Sequence, residues 1–482
     1  MNSNHNRTSF LPSRRSWLAQ SGSGLGWIAL ASLFQQEGRS SAADTAHAQL
    51  RPRARRVIQV FLEGGLSHID SFDPKPELLL RNGQTIPGPD EFQSNNGVEA
   101  EKNPEWERAR GIAFGSPFRF EKRGESGLEI SELFPHLAKH ADKLCVIRSM
   151  YGDDPAHQQA VLLMNTGDTR LIRPAVGSWI TYGLGTENEN LPGFVVLYRE
   201  NQPIKGAENW QSAFLPGTYQ GTSIDTQHES VDQLIPNIVS PVTSMHEQNH
   251  QLRVLTQINR LHQQSGRQED DRLEARIRSF ELAYRMQSQA GNLFDLSQEP
   301  GWVHELYGEG DAARQCILAR RMAEAGVRYT QVYLGGWDHH SELRDGLSES
   351  ARSIDQALAG LLQDLAQRGM LEDTLVHCTT EFGRTPTADT NAGSTGKDAG
   401  RDHNHRAFSV WMAGGGFKGG FTYGVTDELG WSAVENRVHV HDLHATLLYA
   451  LGIDHERLTY RYAGRDFRLT DVHGTVVHDI FS

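Results

Sequence analysis

Only three cysteines occur in 482 residues, at positions 145, 316 and 378, too few and too scattered for a disulfide framework or a cysteine metal site. Cys145 and Cys378 lie in apolar runs and read as core residues. Long apolar segments are also missing. The uncharged stretch at 22–34, GSGLGWIALASLF, is too short and glycine-rich to span a bilayer, so no transmembrane segment is expected in the mature chain. Positive charge is in deficit, 47 Lys and Arg against 60 Asp and Glu, a net −13 that argues against a nucleic-acid partner and leaves no basic membrane-binding face. The zincin HExxH, P-loop, GxGxxG, GxSxG and CxxC patterns are absent, and no internal repeat is visible.

What is present begins with an address. Ser13-Arg14-Arg15-Ser16-Trp17-Leu18 resembles a twin-arginine export signal, with Trp17 where that pattern usually carries phenylalanine. The uncharged stretch follows, and Ala46-His47-Ala48 offers a small-residue cleavage site. Residues 1–48 are thus expected to engage the twin-arginine export machinery and to be removed, leaving a periplasmic or secreted protein.

Beyond it, short apolar runs recur at 57–62, 144–150, 194–197, 329–334, 374–380 and 408–414. They lack strict alternation, as strands buried on both faces do. Between them, Ile354, Leu358, Leu361 and Leu365 recur at helical spacing, as do Leu273, Ile277, Phe280 and Tyr284. Strands alternating with helices predict an α/β fold with a mostly parallel sheet, here one domain over 49–482. Residues 82–127, rich in Asn, Glu, Gly and Pro, read as an inserted surface loop, and the polar residues 225–300 as a helical insertion.

In parallel sheets ligands gather at the carboxyl ends of strands, so the residues after each run matter most. Glu63-Gly64-Gly65, with His68 and Asp70, follows the first run. Gly335-Gly336-Trp337-Asp338-His339-His340 follows YTQVYL, and Glu381-Phe382-Gly383-Arg384 follows TLVHCTT. Gly400-Arg401-Asp402-His403-Asn404-His405 precedes FSVWMAG. Each has a bland reading, a loop cap or a surface ion pair. Acids and imidazoles beside glycines at four strand edges together suit a divalent cation.

These motifs, with LEGGLSHIDSFDPKPEL, NLPGFVVL and GGGFKGGFTYGVTDELG, resemble the secreted bacterial domain-of-unknown-function family 1501, over about residues 55–470. That family is related to the alkaline phosphatase and sulfatase superfamily. The resemblance implies an alkaline-phosphatase-like three-layer sandwich, a mostly parallel central sheet flanked by helices. It implies metal ligands at Glu63, Asp338, His340, Glu381 and His403, with phenylalanine at 382 where the superfamily pattern has a further histidine. His68, Asp70, His339, Asp402 and His405 become second-layer or substrate-binding candidates. The superfamily nucleophile begins a helix ten residues before a Thr-Gly; here that position is His157, in HQQAVLLMNTG, and no Ser, Thr or Cys occurs within 153–160. His157 is left as metal ligand, nucleophile, general acid or base, or a helix-start histidine bonded to backbone.

Two subsites follow by analogy. Glu63, Glu381 and His157 would favour Mg²⁺, Ca²⁺ or Mn²⁺, and Asp338, His340 and His403 would favour Zn²⁺ or Mn²⁺. With Arg384 and Arg401 clamping an oxyanion, one or two divalent ions would support hydrolysis of a small-molecule or glycan phosphate or sulfate ester, metal-activated water serving as nucleophile. The competing expectation is a catalytically silent secreted binding protein for sulfated or phosphorylated glycans.

Overall fold

The computed structural model describes residues 50–89, 111–228, 230–234, 245–264, 281–282, 284–286, 291–389 and 396–482. The export-signal region, part of the 82–127 segment, and Leu273, Ile277 and Phe280 of the second periodic helix lie outside the described residues.

Among the described residues nine strands make the main sheet: β1 (Arg56–Leu62), β2 (Cys145–Tyr151), β3 (Phe194–Tyr198), β4 (Thr222–Asp225), β5 (Tyr329–Leu334), β6 (Thr374–Thr379), β7 (Phe408–Ala413), β8 (Phe421–Tyr423) and β9 (Val438–His439). Their order is β8-β2-β7-β6-β1-β5-β3-β4, with β9 also pairing β2. Every pairing is parallel except those made by β7, which runs against both β6 and β2. All six apolar runs of the sequence are strands. The three missed strands are short and lack an apolar run.

Side-chain alternation on these strands feeds two cores. Ile58, Val60 and Leu62 of β1 join Val332, Val376 and Trp411 on one face. There they pack on α3 (Gly301–Tyr307), α4 (Asp311–Glu324) and α5 (Leu343–Gln367), whose Ile354, Leu358, Leu361 and Leu365 are all buried. Val57 and Phe61 face the other way, joining Ile147, Val196 and Met412. That core is covered by α1 (His157–Thr166), α2 (Val176–Leu184) and α6 (Val440–Ala450). The result is a helix–sheet–helix sandwich, the fold class the sequence predicts. All three cysteines are buried and free.

Three features depart from or extend the expectations. Within 82–127, Thr85–Ile86 pairs with Gly111–Ile112, and Phe120–Arg123 forms a hairpin with Leu128–Ser131, so this stretch is not a plain loop. Gly383–Ala388 and Arg401–Asn404 form an antiparallel hairpin above the sheet edge. A further helix, Met245–Gln264, lies within the polar 225–300 segment. Among the described residues no helix is long and apolar enough to cross a membrane.

Candidate metal centre

Strands β6, β1 and β5 lie side by side and parallel, so their carboxyl ends deliver Glu381, Glu63 and Asp338 to one edge of the sheet. β2 points the same way and leads, through residues 152–156, into α1 at His157. The backbone must bend sharply to do this. Gly64 adopts φ +121°, and a Cβ there would lie 2.6 Å from the Asp338 backbone nitrogen. Only glycine lets the β1 and β5 ends approach so closely. The 383–404 hairpin then lays His403 over the same edge.

Asp338 is the hub. Its Oδ1 lies 3.0 Å from His340 Nε2 and 3.3 Å from His403 Nε2, and its Oδ2 lies 3.3 Å from His157 Nε2. His340 and His403 face each other Nε2 to Nε2 at 2.9 Å. Behind each ring sits an acceptor. His340 donates from Nδ1 to the Asp389 carboxylate at 2.7 Å, and His403 donates from Nδ1 to the Pro155 carbonyl at 2.8 Å. His157 donates from Nδ1 to Glu381 at 2.7 Å. Carbonyls and carboxylates only accept here, so the Nδ1 atoms carry protons, and each Nε2 faces Asp338, donating to it when the ring is charged and offering a lone pair when it is neutral. Carboxylate or carbonyl behind, lone pair in front, is the arrangement that orients imidazoles for a metal.

Phe382, buried completely, floors the cluster, its ring 4.5 Å from that of His403 and 4.8 Å from that of His157. A cleft of about 500 Å³, lined by Pro155, Ala156, His157, Gln158, Asp402 and His403, opens onto it. Among the described residues two groups of potential ligands share His403: one with His157 and Asp338, the other with His340 and Asp402. The donor set, two or three imidazoles and a carboxylate, fits Zn²⁺ or Mn²⁺.

Charge follows the geometry. Burial disfavours ionised Asp338, but the three imidazoles and Arg384 outweigh it and hold the carboxyl far below its usual range. Burial likewise opposes a charged His157, yet Asp338 and Glu381 on either side lift it to about 9. Glu63 is different: burial, aided by Glu381, pushes it up to about 7 despite the Ile204 N–H it accepts at 2.7 Å.

Several residues singled out in the sequence sit elsewhere. Arg384 is buried and fully engaged. It donates to the carbonyls of Gly64, Gly65 at 2.9 Å and Arg401 at 3.0 Å, and to Asp338, so it pins the glycine turn rather than facing the cleft. Arg401 is wholly enclosed, donating to both Asp70 oxygens at 2.8 and 3.1 Å beneath the ring of Phe114. Neither guanidinium is available as an oxyanion clamp, because each already saturates a buried acceptor. His68 is buried under the hairpin against the Gly430 carbonyl at 3.0 Å, so it and Asp70 support the hairpin, not the cleft. His339 turns to Ser350 on α5 at 3.3 Å. His405 lies past the hairpin, near Asp153 and Asp154, and burial lowers it to about 4. Glu63 and Glu381 join neither ligand group.

Sequence reasoning missed Asp389 and the Pro155 carbonyl. Asp389 follows the EFGRTP motif by three residues, and only the hairpin register brings it to His340.

The layered fold and strand-end cluster define a three-layer α/β protein with a carboxylate–imidazole centre. The chain belongs to the family described as protein of unknown function (DUF1501), whose model matches residues 54–481. Solved structures similar to it include the lipoteichoic acid synthase LtaP from Listeria monocytogenes, 8% identical over 92% of this chain and 80% of that one, TM-score 0.37. A protein in the alkaline phosphatase superfamily from Vibrio parahaemolyticus is 9% identical over 90% and 76%, TM-score 0.35. The PsFucS1 sulfatase from Pseudoalteromonas sp. is 11% identical over 90% and 72%, TM-score 0.33. No curated protein matches the chain significantly.

Proposed function

We propose that this protein is an exported, metal-dependent hydrolase of phosphate or sulfate esters. The observation that carries the proposal is the convergence of Asp338 Oδ1 with the Nε2 atoms of His340 and His403, acceptors 2.9 to 3.3 Å apart. A divalent cation held there would supply Lewis-acid charge to an ester oxygen and to a developing oxyanion.

The chain's own residues do the rest. Arg384 fixes the Asp338 carboxylate, and Asp389 and Pro155 fix the two imidazoles. Phe382 excludes water from below, while the cleft beside His157 and Asp402 admits substrate from above. Glu63, at the carboxyl end of β1 on the same sheet edge, is the carboxylate placed to accept the proton of an attacking water. With both arginines sequestered, recognition of the substrate's anion would fall to a cation held by Asp338, His340 and His403.

A second reading, a silent binding protein for sulfated or phosphorylated glycans, is favoured by those sequestered arginines and by the absence of a hydroxyl or thiol at position 157. The segments 1–48, 82–127 and 225–300 are read as an export signal and two insertions on one α/β domain. An assay of the mature protein with nitrophenyl phosphate and nitrophenyl sulfate, with and without Zn²⁺ or Mn²⁺, tests the hydrolase reading. Cation-dependent turnover abolished by Asp338→Ala supports it. Cation binding without turnover of any phosphate or sulfate ester leaves the binding protein.

A further inference from the structure

We infer that His157 is a ligand of the same cation as Asp338, His340 and His403, and that Glu381 orients His157 rather than holding a second cation. This rests on the metal-site reading above and revises its number of sites, one centre in place of two.

Four observations converge. The His157 Nε2 is buried without a hydrogen-bond partner and lies 3.3 Å from Asp338 Oδ2. Ligand atoms of His157, Asp338 and His403 all fall within 4.8 Å of one another. The three rings repeat one device, Nδ1 anchored on a fixed acceptor and Nε2 turned to Asp338, whose two oxygens divide the work: Oδ1 toward His340 and His403, Oδ2 toward His157. Finally, Glu381 is spoken for. Its side chain is 0% exposed and accepts from the Gly64 N–H at 2.9 Å and the Thr380 hydroxyl at 3.2 Å as well as from His157. A carboxylate so fixed makes a rigid anchor for an imidazole.

α1 is itself held rigidly. Asn165, two turns on from His157, accepts from Gln331 of β5 at 2.6 Å, and its amide donates to Asn209 at 3.2 Å. Asn209 in turn donates to the Ile204 carbonyl at 2.7 Å. The helix that starts at His157 is thus tied to the strand that delivers Asp338.

The assignment has a chemical consequence. A ligating Nε2 is not free to attack a phosphoryl or sulfuryl centre, so no covalent adduct forms at position 157. With four protein donors a tetrahedral cation such as Zn²⁺ would have no vacancy, whereas an octahedral one such as Mn²⁺ would keep two positions for substrate and water.

The test is Co²⁺ titration of the mature protein, read by equilibrium dialysis and visible absorption, with far-UV circular dichroism to verify folding. The wild type is expected to bind one equivalent. His157→Ala should weaken binding by roughly 100-fold or more and shift the absorption bands, with added imidazole restoring them. Glu381→Gln should weaken it by about 10–100-fold with the stoichiometry unchanged. Should His157→Ala fail to fold, His157→Gln carries the same reading. Wild-type affinity and spectrum in the position-157 variants would overturn the assignment, leaving His157 as an imidazolium pinned between Asp338 and Glu381. Two equivalents in the wild type, one lost in Glu381→Gln, would overturn the single centre. No Co²⁺ bound by the wild type would remove the metal reading itself, a result distinct from the other two.

Discussion

His340 and His403 point their Nε2 atoms at each other across 2.9 Å, with Asp338 Oδ1 beside both. Two lone pairs and a carboxylate oxygen repel at that distance unless a proton or a cation lies among them. A cation that binds only the folded state stabilises it by mass action, about 2.7 kcal/mol at one hundred times its dissociation constant. Thermal melts should therefore rise with added Mn²⁺ or Zn²⁺ and fall back on chelation. In Asp338→Ala the melting temperature should be indifferent to both.

Asp389 anchors His340 from behind and does not face the cleft. Asp389→Asn should leave the fold intact and lower cation affinity by about 10–100-fold, the usual cost of losing an outer-shell carboxylate. Dialysis against a defined free-cation series reads this directly. Undiminished affinity would show that the ring is held by packing alone.

At Gly64 the chain leaving β1 passes against the backbone that follows β5. A Cβ there meets backbone 2.6 and 2.8 Å away, and φ is +121°. Gly83 also has positive φ, +79°, but nothing within 4 Å. Gly83→Ala should then cost only its backbone strain, about 1 kcal/mol, while Gly64→Ala should cost more and displace Asp338, so that cation binding is lost along with stability. Denaturant melts of the two variants make the comparison.

The Arg401–Asp70 pair is fully buried on both sides, with two charge-assisted hydrogen bonds. Removing one partner strands the other charge, so Arg401→Met should destabilise by about 3–5 kcal/mol. Arg401→Met combined with Asp70→Leu should recover most of that loss. A single variant that melts like the wild type but loses turnover would restore the clamp role.

Acid should unfold this protein early. Burial holds His68 at about 4 and His377 and His444 at about 3, all below the ordinary 6.5. In the unfolded chain these imidazoles take protons from about pH 6.5 downward, whereas in the folded protein they stay neutral. Their contribution is fully present above pH 6.5 and is lost as pH falls from there toward 4 and then 3. Urea midpoints measured between pH 7.5 and 4.5 should decline steadily. His377→Gln, which removes one such group, should decline less steeply.

The strongest strands were legible because burial on both faces demands continuous apolar runs, and Val57–Leu62 and Tyr329–Leu334 supply them. The strands Thr222–Asp225, Phe421–Tyr423 and Val438–His439 were not, since short strands carry too few residues for a pattern to emerge. The site was half legible. Asp338, His340 and His403 stand out because charged and imidazole groups beside glycines at strand ends have few structural uses. Arg384 and Arg401 misled for the same reason: a lone arginine in sequence does not reveal whether its guanidinium faces a cleft or a buried carbonyl.

Local pattern and residue chemistry set the alternation of strands and helices, the family and the short list of acids and histidines, and all of these can be read along the chain. Which of them meet was decided only by the tertiary structure. Parallel β6, β1 and β5 set Glu381, Glu63 and Asp338 on one edge, the hairpin register brings Asp389 to His340, and the approach of α1 turns His157 onto Asp338. Such contacts join residues tens to hundreds of positions apart, and their distances depend on sheet order and glycine turns that no local pattern encodes.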